Sequence, residues 1–394
     1  MKKDIFSPEK YLPGHTVTLV ASGTPYFEHL LEIIDKAQQE IQFQVYIFDD
    51  DGTGRAVAVA LKKAQDRGVK VFLAVDSYGS KEISSAFVAD LKGHGIHFKV
   101  FSPLPRHFYA FRFGRRLHIK VVVADGAVAL VGGINIADKY AGTADVLPWL
   151  DFAILVEGPV CADLSNICAR IYYEKYFGRL KSALPKKQPQ PAGKVRSRFA
   201  LNDWFRQKNQ VSNNYSAAFR MSQSSISIMA SYFLPGRKLR YVLKEAARRG
   251  VDIRLLLPNK SDVAIAKRAT RFLYRWLLRN NIQIYEWDKS VLHGKMAVVD
   301  NKWVTIGSYN LNHLSKFSSI ELNVEVMDAG FGASVQEQLS DLMAQSSFVN
   351  ADTFELSRGV WYQFLDWVSY LLARWVMLLL FYFIRREEHF QEKD

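Results

Sequence analysis

A pattern that occurs twice constrains this chain more than any other feature. His118, Lys120, Asp125, Gly132, Gly133 and Asn135 recur, at the same spacings, as His293, Lys295, Asp300, Gly307, Ser308 and Asn310. A single His-x-Lys could sit on any edge strand. Two copies with matching Asp, Gly and Asn positions mark a duplicated unit and therefore a fold of two related halves. The duplication extends beyond these residues, since Arg67-Gly-Val-Lys-Val in the first half matches Arg249-Gly-Val-Asp-Ile in the second.

Each half alternates apolar strands with helices. In the first, strands are expected over residues 17–20, 41–48 and 69–75, and helices over 27–39, entered through Thr24-Pro25, and 54–67. In the second, strands over 226–233 and 251–257 flank a helix over 239–249. The first motif reads as a strand from Leu117, with an Asp125-Gly126 turn into a return strand over 127–131. On extended backbone His118 and Lys120 share one face, while Ile119, Val121 and Val123 line the other. The alternation predicts an α/β fold of two duplicated lobes, each a mixed β-sheet flanked by helices.

At 394 residues the chain is too long for one ordinary core and suits two. Hydrophobic residues at 49% and aromatics at 13% are enough to pack both. Lys and Arg number 52 against 39 Asp and Glu, a net +13, which predicts attraction to a polyanion without choosing between nucleic acid and an anionic membrane. Residues 181–198 contain KKQPQPAGKVRSR and read as an exposed linker. The expected division is a first lobe over 1–180, a second over 199–350 and a tail over 351–394. Cys161 and Cys168, i and i+7 in a helical stretch, are too few for a metal site and poorly placed for a disulfide. They read as packing residues in a reducing cytosol. The first residues carry two lysines but no apolar run, so no signal peptide is expected.

Three stretches bear on surfaces. Residues 107–116, HFYAFRFGRR, read either as a partly packed loop or as a rim dipping into lipid headgroups. Residues 263–282 read as one helix with Arg268, Arg271, Arg275 and Arg279 at helical spacing, a basic face turned to solvent or to a membrane. Residues 360–384 are apolar and aromatic but interrupted by Asp366 and Arg374, which favours a helix lying in the membrane interface or packed on the body over one that spans it.

The doubled His-x-Lys-x4-Asp pattern, followed by Gly-Gly or Gly-Ser and Asn, resembles the signature of the phospholipase D superfamily. Within it, VGGINIADKY around Asn135, YFLPG and RRGVDIRLLLP are most similar to bacterial cardiolipin synthases of the shorter type B kind, which lacks amino-terminal membrane helices. The likeness spans about residues 17–341. It implies one active site shared at the lobe interface, with no metal or other cofactor. His118 would attack phosphorus to give a phosphohistidine and His293 would protonate the leaving alcohol. Glu321 and, after a slightly longer loop, Asp151 would orient the histidines. Condensation of two phosphatidylglycerol molecules to cardiolipin and glycerol is the implied reaction, at the cytoplasmic side of a bacterial inner membrane.

The residue types suit that chemistry. Imidazole titrates near neutrality, so one ring of a pair can be neutral while the other is protonated. Lys120, Lys295, Asn135 and Asn310 offer donors to phosphoryl oxygens. Asp125 and Asp300, although part of the motif, sit at turns and read as structural. Gly132, Gly133, Gly307 and Ser308 are small either for backbone approach to phosphate or for a tight packing turn. His15, His29, His94, His97 and His313 have no motif context and read as surface or core residues. Phospholipid hydrolysis, or nucleic-acid cleavage by the same motifs, are the alternatives; the apolar tail weighs against nucleic acid, and the complete motif set against a non-catalytic scaffold. Phosphatidylethanolamine could replace one phosphatidylglycerol, and the oligomeric state is left open.

Overall fold

The computed structural model describes residues 4–102, 116–173, 191–203, 206, 208–312, 315, 319–351, 354 and 359–391, with side chains described as far as residue 375. Most of the aromatic–basic stretch 107–116, the first part of the linker and His313 lie outside these residues.

The two lobes repeat one strand order. In the first sheet, Leu12–Ala21 is followed across by Phe152–Glu157, Val128–Gly132, Val121–Ala124, Glu40–Val45, Lys70–Asp76 and His97–Phe101. The second runs Val195–Asp203, Ser319–Met327, Trp303–Gly307, Lys295–Val299, Ser225–Ala230, Asp252–Pro258 and Gln283–Trp287. In each, a meander of antiparallel strands gives way to parallel strands joined through helices, which makes the sheet mixed. The long first strand also pairs with Val195–Asp203, at Leu12 with Ser197, and so ties the sheets together.

Three apolar clusters explain the layering. Residues of helices Thr24–Lys36 and Gly52–Asp66 pack on the outer face of the first sheet, and those of Gln210–Met221 and Arg237–Arg248 on the outer face of the second. The third cluster lies between the sheets. It takes Ile119, Val121, Val123 and Ile154 from one lobe, Met296, Val298, Ile306 and Val324 from the other, and the helices Val160–Tyr173 and Ala329–Ala344. Ile119, Val121 and Val123 thus share a face, as strand periodicity requires. Cys161 and Cys168 are buried in the same cluster, and burial pushes both thiols up, which makes them unreactive packing groups.

Several boundaries differ from the sequence reading. Residues 195–198 belong to a nine-residue strand rather than to an exposed linker, because Arg196 and Arg198 find partners, Arg198 donating to Glu325 at 2.8 Å. The first residues cross to the other lobe: Ile5 and Tyr11 join the second outer core, where the Tyr11 hydroxyl accepts from Trp303 Nε1 at 3.0 Å. The basic helix is broken into Ala264–Phe272 and Tyr274–Leu278, with Leu273 between them. Residues 118–120 lie outside any ladder, between Arg116–Leu117 and Val121–Ala124. Arg116–Leu117 pairs with Ser319–Ile320 of the second lobe, whereas Val121 onward pairs within the first, so the chain changes sheets across the His-x-Lys segment.

Candidate active site

The motif hairpins turn at residues with positive φ: Asp125 and Gly126 (54° and 63°) in one, Asp300 and Asn301 (52° and 51°) in the other. Both central residues of such a turn need left-handed backbone, which Asp, Asn and Gly tolerate. Each aspartate also clamps the chain entering its lobe's strand. Asp125 accepts from the backbone N–H of Gln38, Gln39 and Glu40 at 2.8–2.9 Å, and Asp300 from Gln223, Ser224 and Ser225 at 2.8–3.1 Å. Burial acts to raise the Asp300 carboxyl, but its hydrogen bonds prevail and hold it below its ordinary value. These aspartates, grouped with the catalytic set by the motif, are occupied at the hairpin turns.

Two matching backbone bridges bring the histidines together. His118 N donates to Ile320 O at 3.1 Å, and His293 N donates to Leu150 O at 2.8 Å, beside the parallel bridge between Leu150 and Leu292. Each bridge sets a histidine of one lobe next to the carboxylate that follows in the other. His118 Nδ1 lies 2.9 Å from Glu321 Oε2, and His293 Nδ1 lies 2.6 Å from Asp151 Oδ2. Both carboxylates are fully buried. A carboxylate only accepts, so Nδ1 carries the proton in both rings and Nε2 carries the lone pair. The two acids occupy equivalent registers, since Asp151 precedes by two the partner of Gly132, and Glu321 precedes by two the partner of Gly307.

The small residues serve this pairing. A Cβ on Gly133 would stand 2.5 Å from both oxygens of Asp151, so glycine here makes room for the carboxylate. At the matching position of the second lobe Ser308 Oγ donates to Glu321 Oε2 at 2.5 Å. A Cβ on Gly132 or Gly307 would strike the neighbouring strand, at Phe152 O (2.5 Å) or Leu322 O (2.2 Å). Tight packing is what the geometry requires of Gly132, Gly133 and Gly307, and a hydrogen bond to Glu321 is what it gives Ser308.

Lys120 and Lys295 are buried, each 3% exposed. Lys120 Nζ donates to His118 O at 2.7 Å and lies over the Tyr46 ring. Lys295 Nζ donates to His293 O and rests against the His293 ring, 3.9 Å from Asp151 Oδ2. The asparagines are partly engaged: Asn135 Oδ1 accepts from Ile47 N, its Nδ2 donates to the Tyr140 hydroxyl at 2.7 Å, and Asn310 Oδ1 accepts from Ser231 Oγ at 2.7 Å.

Burial dominates the electrostatics. It lowers His118 and, well below the usual imidazole range, His293, where Lys295 and Lys120 add to the effect. It brings Lys120 down to about 7, helped by Lys295, and also lowers Lys295. It raises Asp151 to about 6. The free site therefore holds neutral imidazoles among weakened cations, a charge state that an entering anion would reverse.

Aromatic walls complete the site, and they lie outside the doubled motif. Tyr46 packs edge-on to His118 (4.8 Å between centroids), and Tyr140 and Trp149 flank His293 at 5.4 and 5.9 Å. Tyr232 donates to Asp262 at 2.6 Å, beyond the ends of the parallel strands Ser225–Ala230 and Asp252–Pro258. The wall Tyr46 hints at itself only by following a strand. Asp76 is another unmarked residue: fully buried, it accepts from Leu117 N at 2.8 Å and fixes the segment entering the first motif.

Two lobes of one strand order that each bring a His-x-Lys motif to a common crevice define the phospholipase D-like class. Residues 30–145 and 215–343 match a family model described as cardiolipin synthase, phospholipase D-like domain. The chain is 31% identical over 355 residues to cardiolipin synthase B of Salmonella typhi, covering 89% of this chain and 85% of that one. It is 29% identical over the same shares to cardiolipin synthase B of Escherichia coli K12. In fold it is similar to the crystal structure of a phosphatidylserine synthase from Haemophilus influenzae, with TM-score 0.69 at 14% identity, over 92% of this chain and 93% of that one. The chain belongs to the cardiolipin synthase family of phospholipase D-like proteins.

Proposed function

We propose that this chain is a phosphatidyltransferase that condenses two phosphatidylglycerol molecules into cardiolipin and glycerol. The observation that carries the reading is the crossed pair of histidine–carboxylate contacts, His118–Glu321 and His293–Asp151, in a crevice lined by Lys120 and Lys295. Its family relatives named cardiolipin synthase B support it.

The phosphodiester anion enters between the two lysines and raises both histidines, so His293 takes up a proton on Nε2. His118 Nε2 attacks phosphorus; the bond to the donor's glycerol oxygen breaks, and that oxygen takes the proton from His293. Glycerol leaves and the phosphatidyl group stays on His118. A hydroxyl of a second phosphatidylglycerol then gives its proton to His293 and attacks phosphorus, the bond to His118 breaks, and cardiolipin leaves. Glu321 and Asp151 hold both rings with Nε2 toward phosphorus. The lysine ammonium groups neutralise the equatorial oxygens, and the Asn135 and Asn310 amides donate hydrogen bonds to them. Tyr46, Tyr140 and Trp149 narrow the approach of water, which would otherwise give phosphatidic acid.

The lipid substrates place the enzyme at an anionic membrane surface. Among the described residues no helix is long and apolar enough to cross a membrane, and the net charge of +13 favours peripheral attachment to the cytoplasmic side of the inner membrane. The test is product analysis by mass spectrometry with phosphatidylglycerol vesicles. Cardiolipin and glycerol, absent with His118→Ala, are expected. Phosphatidic acid alone would make the protein a hydrolase, and absence of lipid turnover would refute the reading.

A further inference from the structure

The carboxyl-terminal helix, Val360–Gln391, is amphipathic in the inverted sense over residues 360–375. Its buried face carries Asp366 and Ser369, at 4% and 5% exposure, while Trp361 and Trp375 are 67% and 66% exposed, with Phe364, Trp367 and Leu371 also open. The helix is fastened to the body by Tyr370 and Ala373, which pack on Leu234, Ala269 and Leu273, and by the stacking of Tyr370 on Phe272 at 4.6 Å. Between it and the broken basic helix lies a cleft of about 570 Å³, walled by Arg240, Arg271, Arg275, Arg279, Trp276 and Trp367.

Four guanidinium groups line this cleft; among the described residues Asp366 stands in its wall, and Glu286 accepts from Arg271 at 2.9 Å. Arg240 lies over the Trp276 ring, and its Nε is buried without a hydrogen-bond partner. Arg275, exposed, donates to Gln363 at 3.2 Å. Arginine suits phosphate by its planar fork, and tryptophan suits the boundary between headgroup and acyl chain. The neighbouring exposed Trp361, Phe364 and Trp367 lie on the same helix as the cleft's wall, so a phosphate held by the arginines would have its acyl chains beside apolar surface.

We propose that this cleft is a second, non-catalytic binding site for an anionic phospholipid, which seats the enzyme on the membrane through the carboxyl-terminal helix. The proposal rests on the lipid-substrate reading above, but its test does not depend on turnover. The experiment measures co-sedimentation of the full chain with phosphatidylcholine vesicles containing phosphatidylserine, alongside vesicles of phosphatidylcholine alone. Each charge lost near an anionic surface weakens partitioning about fivefold, so Arg275→Gln/Arg279→Gln should weaken binding about 25-fold. Arg275→Lys/Arg279→Lys, which keeps the charge, should stay within about fivefold and shows that the loss is not unfolding. The exposed pair Lys63→Gln/Arg248→Gln, neither in the cleft, should change binding less than fivefold. Equal losses from both Gln pairs would mean diffuse attraction and overturn the site, as would unchanged binding of the cleft pair. A protein that binds these vesicles through the cleft but makes no cardiolipin would refute the proposed reaction and leave the site standing.

Discussion

Gly133→Ala tests whether the crossed His293–Asp151 contact sets the rate. A Cβ at this position stands 2.5 Å from both Asp151 oxygens and 2.8 Å from Cγ, whereas such contacts essentially never fall below 3.0 Å. The carboxylate must therefore retreat by about 0.5 Å or more in a close-packed interior. It cannot do so freely, because Oδ2 lies 2.6 Å from His293 Nδ1 and Oδ1 takes the Phe152 N–H at 2.7 Å. Misplacing a reacting group by about 1 Å lowers a rate by roughly 10²-fold, so a shift of about 0.5 Å or more should lower kcat some 10- to 100-fold. KM for a short-chain phosphatidylglycerol should move by less than about threefold, because the lysines are untouched. Gly93→Ala is the control, since nothing lies within 4 Å of its Cβ and it ends the helix Ser85–Gly93. Steady-state kinetics on both variants, with thermal unfolding to establish that each is folded at assay temperature, make the comparison. A folded Gly133→Ala with the kcat of the parent, or a change confined to KM, would refute the reasoning.

Ser308→Ala removes the 2.5 Å hydrogen bond to Glu321, and a bond to a charged group is worth about 1.5–3 kcal/mol, so kcat/KM should fall about 10- to 100-fold; an unchanged value would mean that Glu321 needs no second partner. Asp300→Ala should destabilise the fold by about 1–3 kcal/mol at pH 7. Because the folded carboxyl lies below its unfolded value, the gap in Tm between parent and variant should be full above about pH 4 and close as the pH falls below that; a gap that widens in acid would contradict the clamp. Inorganic phosphate should bind with proton uptake at neutral pH, since an anion raises groups that burial has lowered, among them Lys120 at about 7, and its affinity should decline as the pH rises through the raised values of the complex. Calorimetric titration in buffers of different ionisation enthalpy reads that uptake, and net proton release would sink the idea. Turnover should survive EDTA, because histidine nitrogens and lysines carry the whole scheme.

What could be read from the chain was whatever chemistry and repetition fix together. The histidines, lysines and asparagines stand out because their types and spacings are doubled, and the mixed sheet flanked by helices follows because each half alternates apolar strands with helices. The orienting acids needed register as well: Asp151 and Glu321 become equivalent only when each is counted from the partner of its motif glycine. That they cross between lobes depends on the bridges Leu117–Ile320 and Leu150–Leu292, which are long-range contacts without a local pattern. Residues 195–198 looked like linker because their arginines point to solvent in the absence of a partner strand, and Glu325 supplies one only in the fold. The glycines read first as phosphate-facing, with packing as the alternative, because nothing local shows that Asp151 lies against Gly133. Tyr46, Tyr140 and Trp149 lie outside the doubled motif, and an aromatic near a strand end is more often core than active-site wall.

The central claim is that one crevice, built by both lobes, passes a phosphatidyl group through His118. Its most direct test is a rapid base quench of the enzyme with phosphatidylglycerol labelled at phosphorus, followed by peptide mapping of the base-stable phosphohistidine. The account predicts label on the peptide carrying His118, lost in His118→Ala and strongly reduced in Glu321→Gln, although Glu321 belongs to the other lobe. Label on His293, or label that persists in His118→Ala, would contradict it.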